Sequence, residues 1–178
     1  MSTIFNVPER DQVSPANQAI FDAVKKSMGF VPNLYASFAH SENALASFMA
    51  VQSGKTSLNA KEKEVVNLIV SQVNDCPYCL SAHTAMAKKN GFSDEQIIEI
   101  RKGTVPFDQK LDALVKLAKS IAENKGHADQ SLIDNFIAQG YTQGSVVDTI
   151  MLVGIRAITN FVYAVTQPPI DFPKVPEL

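Results

Sequence analysis

The chain has 178 residues, 46% of them hydrophobic and 19% charged, with a formal net charge of -2. That length suits one domain, and the composition excludes a disordered, fibrous or polybasic protein; without a basic surplus, a nucleic-acid partner is not expected. The opening stretch, MSTIFNVPERDQ, lacks a basic segment followed by an apolar one, so no secretory signal is read and the expected location is cytoplasmic.

Helix signals recur along the chain, and no segment alternates apolar and polar residues between hairpin turns, so the expected fold is all-α. Ser14 before Pro15 predicts an N-cap with proline at the first helical position, and Gly29 closes that helix. A short turn from Pro32 and a helix from Ser41 to about Ser53 follow. Asn59 with Glu62 three residues later predicts a capping arrangement, and Val65, Val66, Leu68, Ile69 and Val73 supply an apolar stripe. Pro77 directly after Cys76 makes Cys76 an N-cap, for a helix running to about Lys89 and stopped by Gly91. Ser93 and Gln96 open a short helix ending near Gly103, and Asp108 opens one that reaches Gly126 through Leu111, Leu114, Val115, Ala118 and Ile121. Two more helices are predicted, from about Asp129 to Gln139 and from Gln143 to Val165.

The run from Ser145 to Val165 is long enough to raise the question of a membrane span, but it carries Asp148 and Arg156 and reads instead as a buried helix. A helix apolar on most faces must be covered, and self-association is the economical way for a small domain to cover it. The proline-rich end, QPPIDFPKVPEL, cannot continue the helix and is expected to lie extended.

The chemistry-bearing stretch is NDCPYCLSAH, residues 74–83. In a reducing compartment a lone cysteine pair is more often redox-active, catalytic or metal-binding than a structural staple. Cys76 and Cys79 both fall in the first turn of the predicted helix, whose terminus stabilises thiolate. Two residues apart, they can form a disulfide with each other, so that one thiolate is oxidised to sulfenic acid and the other resolves it. His83, four residues after Cys79, shares its helix face and is the candidate general base. Passive buried thiols remain an alternative. A zinc site is a further one, but it is short of ligands, with only His40 and His127 left to recruit, and both of these read as capping or surface residues. Glu64, by itself, reads as a solvated charge beside Lys61 and Lys63. No phosphate-binding glycine loop is present, so no nucleotide cofactor is expected.

These residues resemble the carboxymuconolactone decarboxylase-like family, and within it the alkyl hydroperoxide reductase D (AhpD) branch, which carries a glutamate, a Cys-x-x-Cys twelve residues on, and a histidine four after the second cysteine. Glu64, Cys76, Cys79 and His83 reproduce that spacing, with the core of the likeness at about 59–92. The flanks GFVPNLYASFAHSENAL and TNFVYAVTQPPIDFP are similar to those of a peroxidase-related subgroup. The resemblance implies an AhpD-like helical bundle over the whole of 1–178 as one domain, assembled as a homo-oligomeric trimer or hexamer with the cysteines at the base of a pocket near a subunit interface. It implies a thiol-dependent alkyl hydroperoxidase or disulfide oxidoreductase with no cofactor. Glu64 and His83 would relay a proton, through a water, to Cys79, and Cys76 would be its disulfide partner. The substrate would be a hydroperoxide and the reductant an unnamed thiol or a lipoyl-protein donor.

A symmetric hairpin turning near Asn74 would leave Glu64 and His83 about one helical turn out of step, at about 1.5 Å per residue, so a bridging water or a helix offset is needed. Some relatives carry a histidine where this chain has Tyr78, and a polar Asn-His pair where it has Tyr163 and Ala164. Two other functions remain open: a carboxymuconolactone decarboxylase-type lyase, and a non-catalytic redox sensor.

Overall fold

Ser14 accepts the amide of Asn17 and Pro15 opens the helix behind it, which ends where Gly29 takes a left-handed φ of 89°. Caps of this kind punctuate the whole chain. The computed structural model describes residues 5–175 and Leu178, so residues 1–4 of the opening stretch and Pro176 and Glu177 of the extended tail lie outside the described residues. Among the described residues there are nine α-helices and no strand: α1 Pro15–Met28, α2 Asn33–Phe38, α3 Ala44–Gln52, α4 Ala60–Val73, α5 Pro77–Lys89, α6 Asp94–Lys102, α7 Gln109–Glu123, α8 Gln130–Ala138 and α9 Gln143–Thr166. The all-α expectation holds.

The described residues fall into two compact units, one of 5–54 and 161–171, the other of 55–160, 172–175 and 178. In the first, Phe38 stacks on Phe48 with centroids 4.7 Å apart and Tyr35 meets Phe48 edge-on. The end of the chain is tied back here, since Asp171 accepts the Asn33 amide at 2.7 Å and the Pro169 carbonyl accepts from the Asn33 side chain. α2, which the sequence reading took for a turn, is a six-residue helix begun by Pro32, and α3 starts three residues later than expected, after Asn43.

The second unit is built around α4. Val65, Val66, Leu68, Ile69 and Val70 are fully buried and pack with Leu114, Val115 and Leu117 of α7, Ile100 of α6 and Phe136 of α8. Asn59 and Glu62 form the expected capping box, Ser93 and Gln96 form another, and Asp108 accepts the amides of Lys110 and Leu111. α4 also carries a polar line at helical spacing, Glu64, Asn67 and Ser71, all buried.

α9 is the one helix among the described residues long and apolar enough, by length and composition, to cross a membrane. It is not buried all round, as the sequence reading had it. Thr149, Val153, Arg156 and Asn160 are buried at helical spacing, whereas Val147 and Phe161 are each 60% exposed and Ile150, Met151, Ile158 and Val165 are exposed with them. One face is thus inward and partly polar, and the other is outward and apolar.

Candidate active site

Three helices of the second unit each contribute a line of side chains spaced three or four apart, and the three lines meet. α4 brings Glu64, Asn67 and Ser71; the start of α5 brings Cys76, Cys79 and His83; α9 brings Arg156, Thr159 and Asn160. Between α4 and α5 the chain turns through Asn74, Asp75 and Cys76, with Asp75 at a left-handed φ of 47°.

Cys76 is the N-cap of α5, as the Cys-Pro pair predicts: its sulfur accepts the Cys79 amide at 3.3 Å. Both sulfurs are free thiols and buried, at 1% and 2% exposure. The two are not chemically equal. The Cys79 thiol is lowered from its usual 9.0 to about 7, chiefly by the hydrogen bond that Cys76 donates to it; burial opposes this, and the Arg156 charge with Asn160 and Thr159 reinforces it. Cys76 is pushed the other way, by that same hydrogen bond and by burial. Cys76 therefore holds its proton the more tightly, and Cys79 is the member of the pair that ionises near neutral pH.

Glu64 and His83 are in direct contact, with Oε2 2.7 Å from Nδ1. The one-turn mismatch of a symmetric hairpin does not keep the two side chains apart, so no bridging group is needed between them. The reading of Glu64 as a solvated charge beside Lys61 and Lys63 is overturned: the carboxylate is buried and turned inward. Burial alone would raise the Glu64 carboxyl, but the His83 contact, the Arg156 charge and a hydrogen bond from Asn67 together hold it below its ordinary range. His83 is lowered, first by burial and then by Arg156, against the pull of Glu64. The imidazole is accordingly neutral at neutral pH, donates Nδ1–H to the carboxylate, and keeps a lone pair on Nε2. The four-residue step from Cys79 places it on the same face of α5.

The residues that sequence reasoning missed lie on α4 and α9. Asn67 donates to Glu64 Oε1 at 3.3 Å and accepts from Arg156 Nε at 3.1 Å. Arg156 Nη1 donates to Thr159 Oγ1 at 3.1 Å, and the Cys79 thiol lies 3.9 Å from that same oxygen. Asn160 accepts from Asn74 at 2.9 Å and donates to Ser71 at 3.4 Å, and its side chain favours the ionised form of both thiols. A signal was present, because an arginine inside an apolar helix must be buried with partners or not buried at all.

His40 Nε2 donates to the Asn6 carbonyl at 2.9 Å and stands with Phe5 in the first unit, so it is a surface residue. Among the described residues no group of three or more histidines, cysteines, aspartates or glutamates is placed to hold a metal. Tyr78 is buried and meets the Phe172 ring edge-on at 5.7 Å.

Residues 42–120 match the model of the carboxymuconolactone decarboxylase family. No curated protein matches the chain by sequence. Solved structures do match its fold. A peroxidase-related protein from Silicibacter sp. TM1040 has a TM-score of 0.81 at 22% identity, over 93% of this chain and 90% of that one. A peroxidase-related protein with an alkylhydroperoxidase AhpD core, from Ralstonia eutropha JMP134, has a TM-score of 0.81 at 18% identity, over 90% and 87%. The debrominase Bmp8 has a TM-score of 0.78 at 18% identity, over 96% and 93%; a cysteine-to-alanine variant of it was solved with 2,3,4-tribromopyrrole.

Proposed function

We propose, from the match of residues 42–120 to the carboxymuconolactone decarboxylase family model and from an all-helical fold similar to that of an AhpD-core protein, that the chain belongs to that family and is a thiol-dependent alkyl hydroperoxidase. The observation that carries the reading is the unequal thiol pair at the head of α5, with Cys79 drawn towards thiolate and Cys76 holding its proton one turn away. In the proposed cycle His83 Nε2 takes the proton of the Cys79 thiol, and the thiolate so formed attacks the terminal oxygen of a hydroperoxide. An S–O bond forms and the O–O bond breaks. The departing alkoxide recovers the proton from His83, giving an alcohol and Cys79 sulfenic acid. Cys76 then attacks that sulfur, water leaves, and a Cys76–Cys79 disulfide remains, to be reduced by an external dithiol or lipoyl-type donor. Glu64 keeps the imidazole in the tautomer this needs. We place this activity in the cytoplasm, in a homo-oligomer.

The test is stopped-flow mixing of reduced protein with hydrogen peroxide and an alkyl hydroperoxide while free thiols are counted. Two thiols lost per peroxide, with a two-hydrogen mass loss in the peptide holding both cysteines, is the expected result. Only isolated sulfinic acids, or no reaction, would count against it.

A second reading keeps the thiol pair but changes the electrophile to a halogenated aromatic ring, and is favoured by the likeness to a debrominase over nearly the full chain. Bromide release from 2,3,4-tribromopyrrole, with no reaction towards peroxides, would select it. The lyase reading leaves two buried thiols, one of them near neutral in its ionisation, without a task, and a decarboxylation assay in the Cys79→Ser protein separates it.

A further inference from the structure

Arg156 is a permanent positive charge in the middle of an otherwise apolar helix, and it is buried. A buried guanidinium persists only where hydrogen bonds and a compensating charge are supplied, so what surrounds it is informative. The compensating charge is Glu64, reached through Asn67, which donates to the carboxylate and accepts from Arg156 Nε. On its other side Arg156 Nη1 donates to Thr159 Oγ1. With Cys79 as the thiol, Thr159 sends its hydroxyl proton to the Arg156 carbonyl at 2.8 Å while Oγ1 accepts from Arg156 Nη1 and faces the sulfur; when Cys79 ionises, the hydroxyl can turn that proton to the thiolate. The guanidinium therefore determines how the group beside the sulfur is held, while Glu64 and His83 engage each other.

We propose that Arg156 is a positioning residue for the Cys79 thiol, fixing the Thr159 hydroxyl beside the sulfur and keeping a permanent positive charge opposite the thiolate. The proposal deepens the hydroperoxidase reading and rests on it for its catalytic meaning. The ionisable groups facing Cys79 are Cys76 at the same helix start, His83 one turn further along α5, Glu64 from α4 and Arg156 from α9; α6, packed on α5, brings Asp94 to Lys88 at the far end of that helix. Glu64 is negative and His83 is neutral, so neither favours a thiolate by its charge. A guanidinium cannot release its proton, so its contribution is present at every working pH. The same charge helps keep His83 neutral, and thus able to accept a proton. Arg156 touches no reacting atom and acts through Cys79, Thr159 and His83.

The test is the pH dependence of iodoacetamide alkylation at Cys79 in the reduced full-length protein, with the site read by fragment mass spectrometry, for wild type, Arg156→Gln, Arg156→Lys and Thr159→Val. Wild type is expected to turn on near pH 7. Arg156→Gln is expected to move that midpoint up by about one to three pH units, and Arg156→Lys, which restores the charge, to recover about half of the change. A merely structural arginine would lower the melting temperature and leave the midpoint in place, so a folded Arg156→Gln protein with an unmoved midpoint overturns the proposal. If circular dichroism shows that the glutamine variant does not fold, Thr159→Val decides: it removes no charge, is expected to raise the midpoint by a smaller amount, and overturns the proposal if it does not. Iodoacetamide reads the thiolate directly. A wild-type protein inert to hydroperoxides would therefore sink the functional reading and leave this one standing.

Discussion

Glu64 and His83 meet at 2.7 Å, and the burial that keeps the imidazole neutral leaves Nε2 as its basic atom. If that atom takes the Cys79 proton, His83→Ala should slow peroxide-driven thiol oxidation by about 10²–10⁴ with the fold intact. Glu64→Gln should do as much or less, since it acts through the histidine, and the double variant should lose little more. Rates compared across pH check this; losses that simply multiply would show that the two do not act as a unit. The same pair sets an acid limit to stability. His83 is lowered in the fold, so the unfolded chain binds the extra proton, and stability present above its ordinary 6.5 is lost as pH falls below that value. Glu64 is also lowered, so a second loss follows as pH falls below its ordinary 4.5. Melting temperatures of the wild type should decline in both ranges, and the upper decline should vanish in His83→Asn. The grouping of Cys76, Cys79 and His83 was legible because their spacing falls within one helix; Glu64 stood out only through the family resemblance, and by itself read as a solvated charge. Arg156, Thr159 and Asn160 were not legible, because they come into place only when a helix some 80 residues away packs on α4.

At the scale of the element, local chemistry decided most of what sequence could reveal. α4 begins at its Asn59–Glu62 capping box and α5 at Cys76–Pro77, both where side chains satisfy amides the helix leaves open. Asn59→Ala should therefore cost about 1 kcal/mol, read as a lower denaturant midpoint at unchanged slope, while Asn59→Ser should restore most of it. The misplaced start of α3 has the same origin. Ser41 accepts the amides of Asn43 and Ala44, so a residue that reads as an N-cap closes a turn ahead of the helix instead. α2 is too short to show a period. The turn from α4 into α5 passes through a left-handed Asp75, a non-glycine position where sequence gives little warning.

At the scale of the molecule, the apolar excess of α9 was plain in the sequence, but which of its faces lay inward was not, because apolar residues occupy both. The inward face is chosen by Arg156, Thr159 and Asn160, which need partners; Val147, Ile150, Met151, Ile158 and Phe161 are left outside. We expect this face to be covered by further copies of the chain, so light scattering at micromolar concentration should give a mass above the monomer's. A monomer would sink that expectation. The outer stripe and the inner line of site residues belong to one helix, only about 10 Å across. Whatever grips the outside also restrains the inside. Subunit association then enters by mass action: each dilution through the dissociation range should lower the melting temperature, and the ionisation of a sulfur on the opposite side of the helix should drift with protein concentration, a quantity that has no place in the chemistry of a single chain.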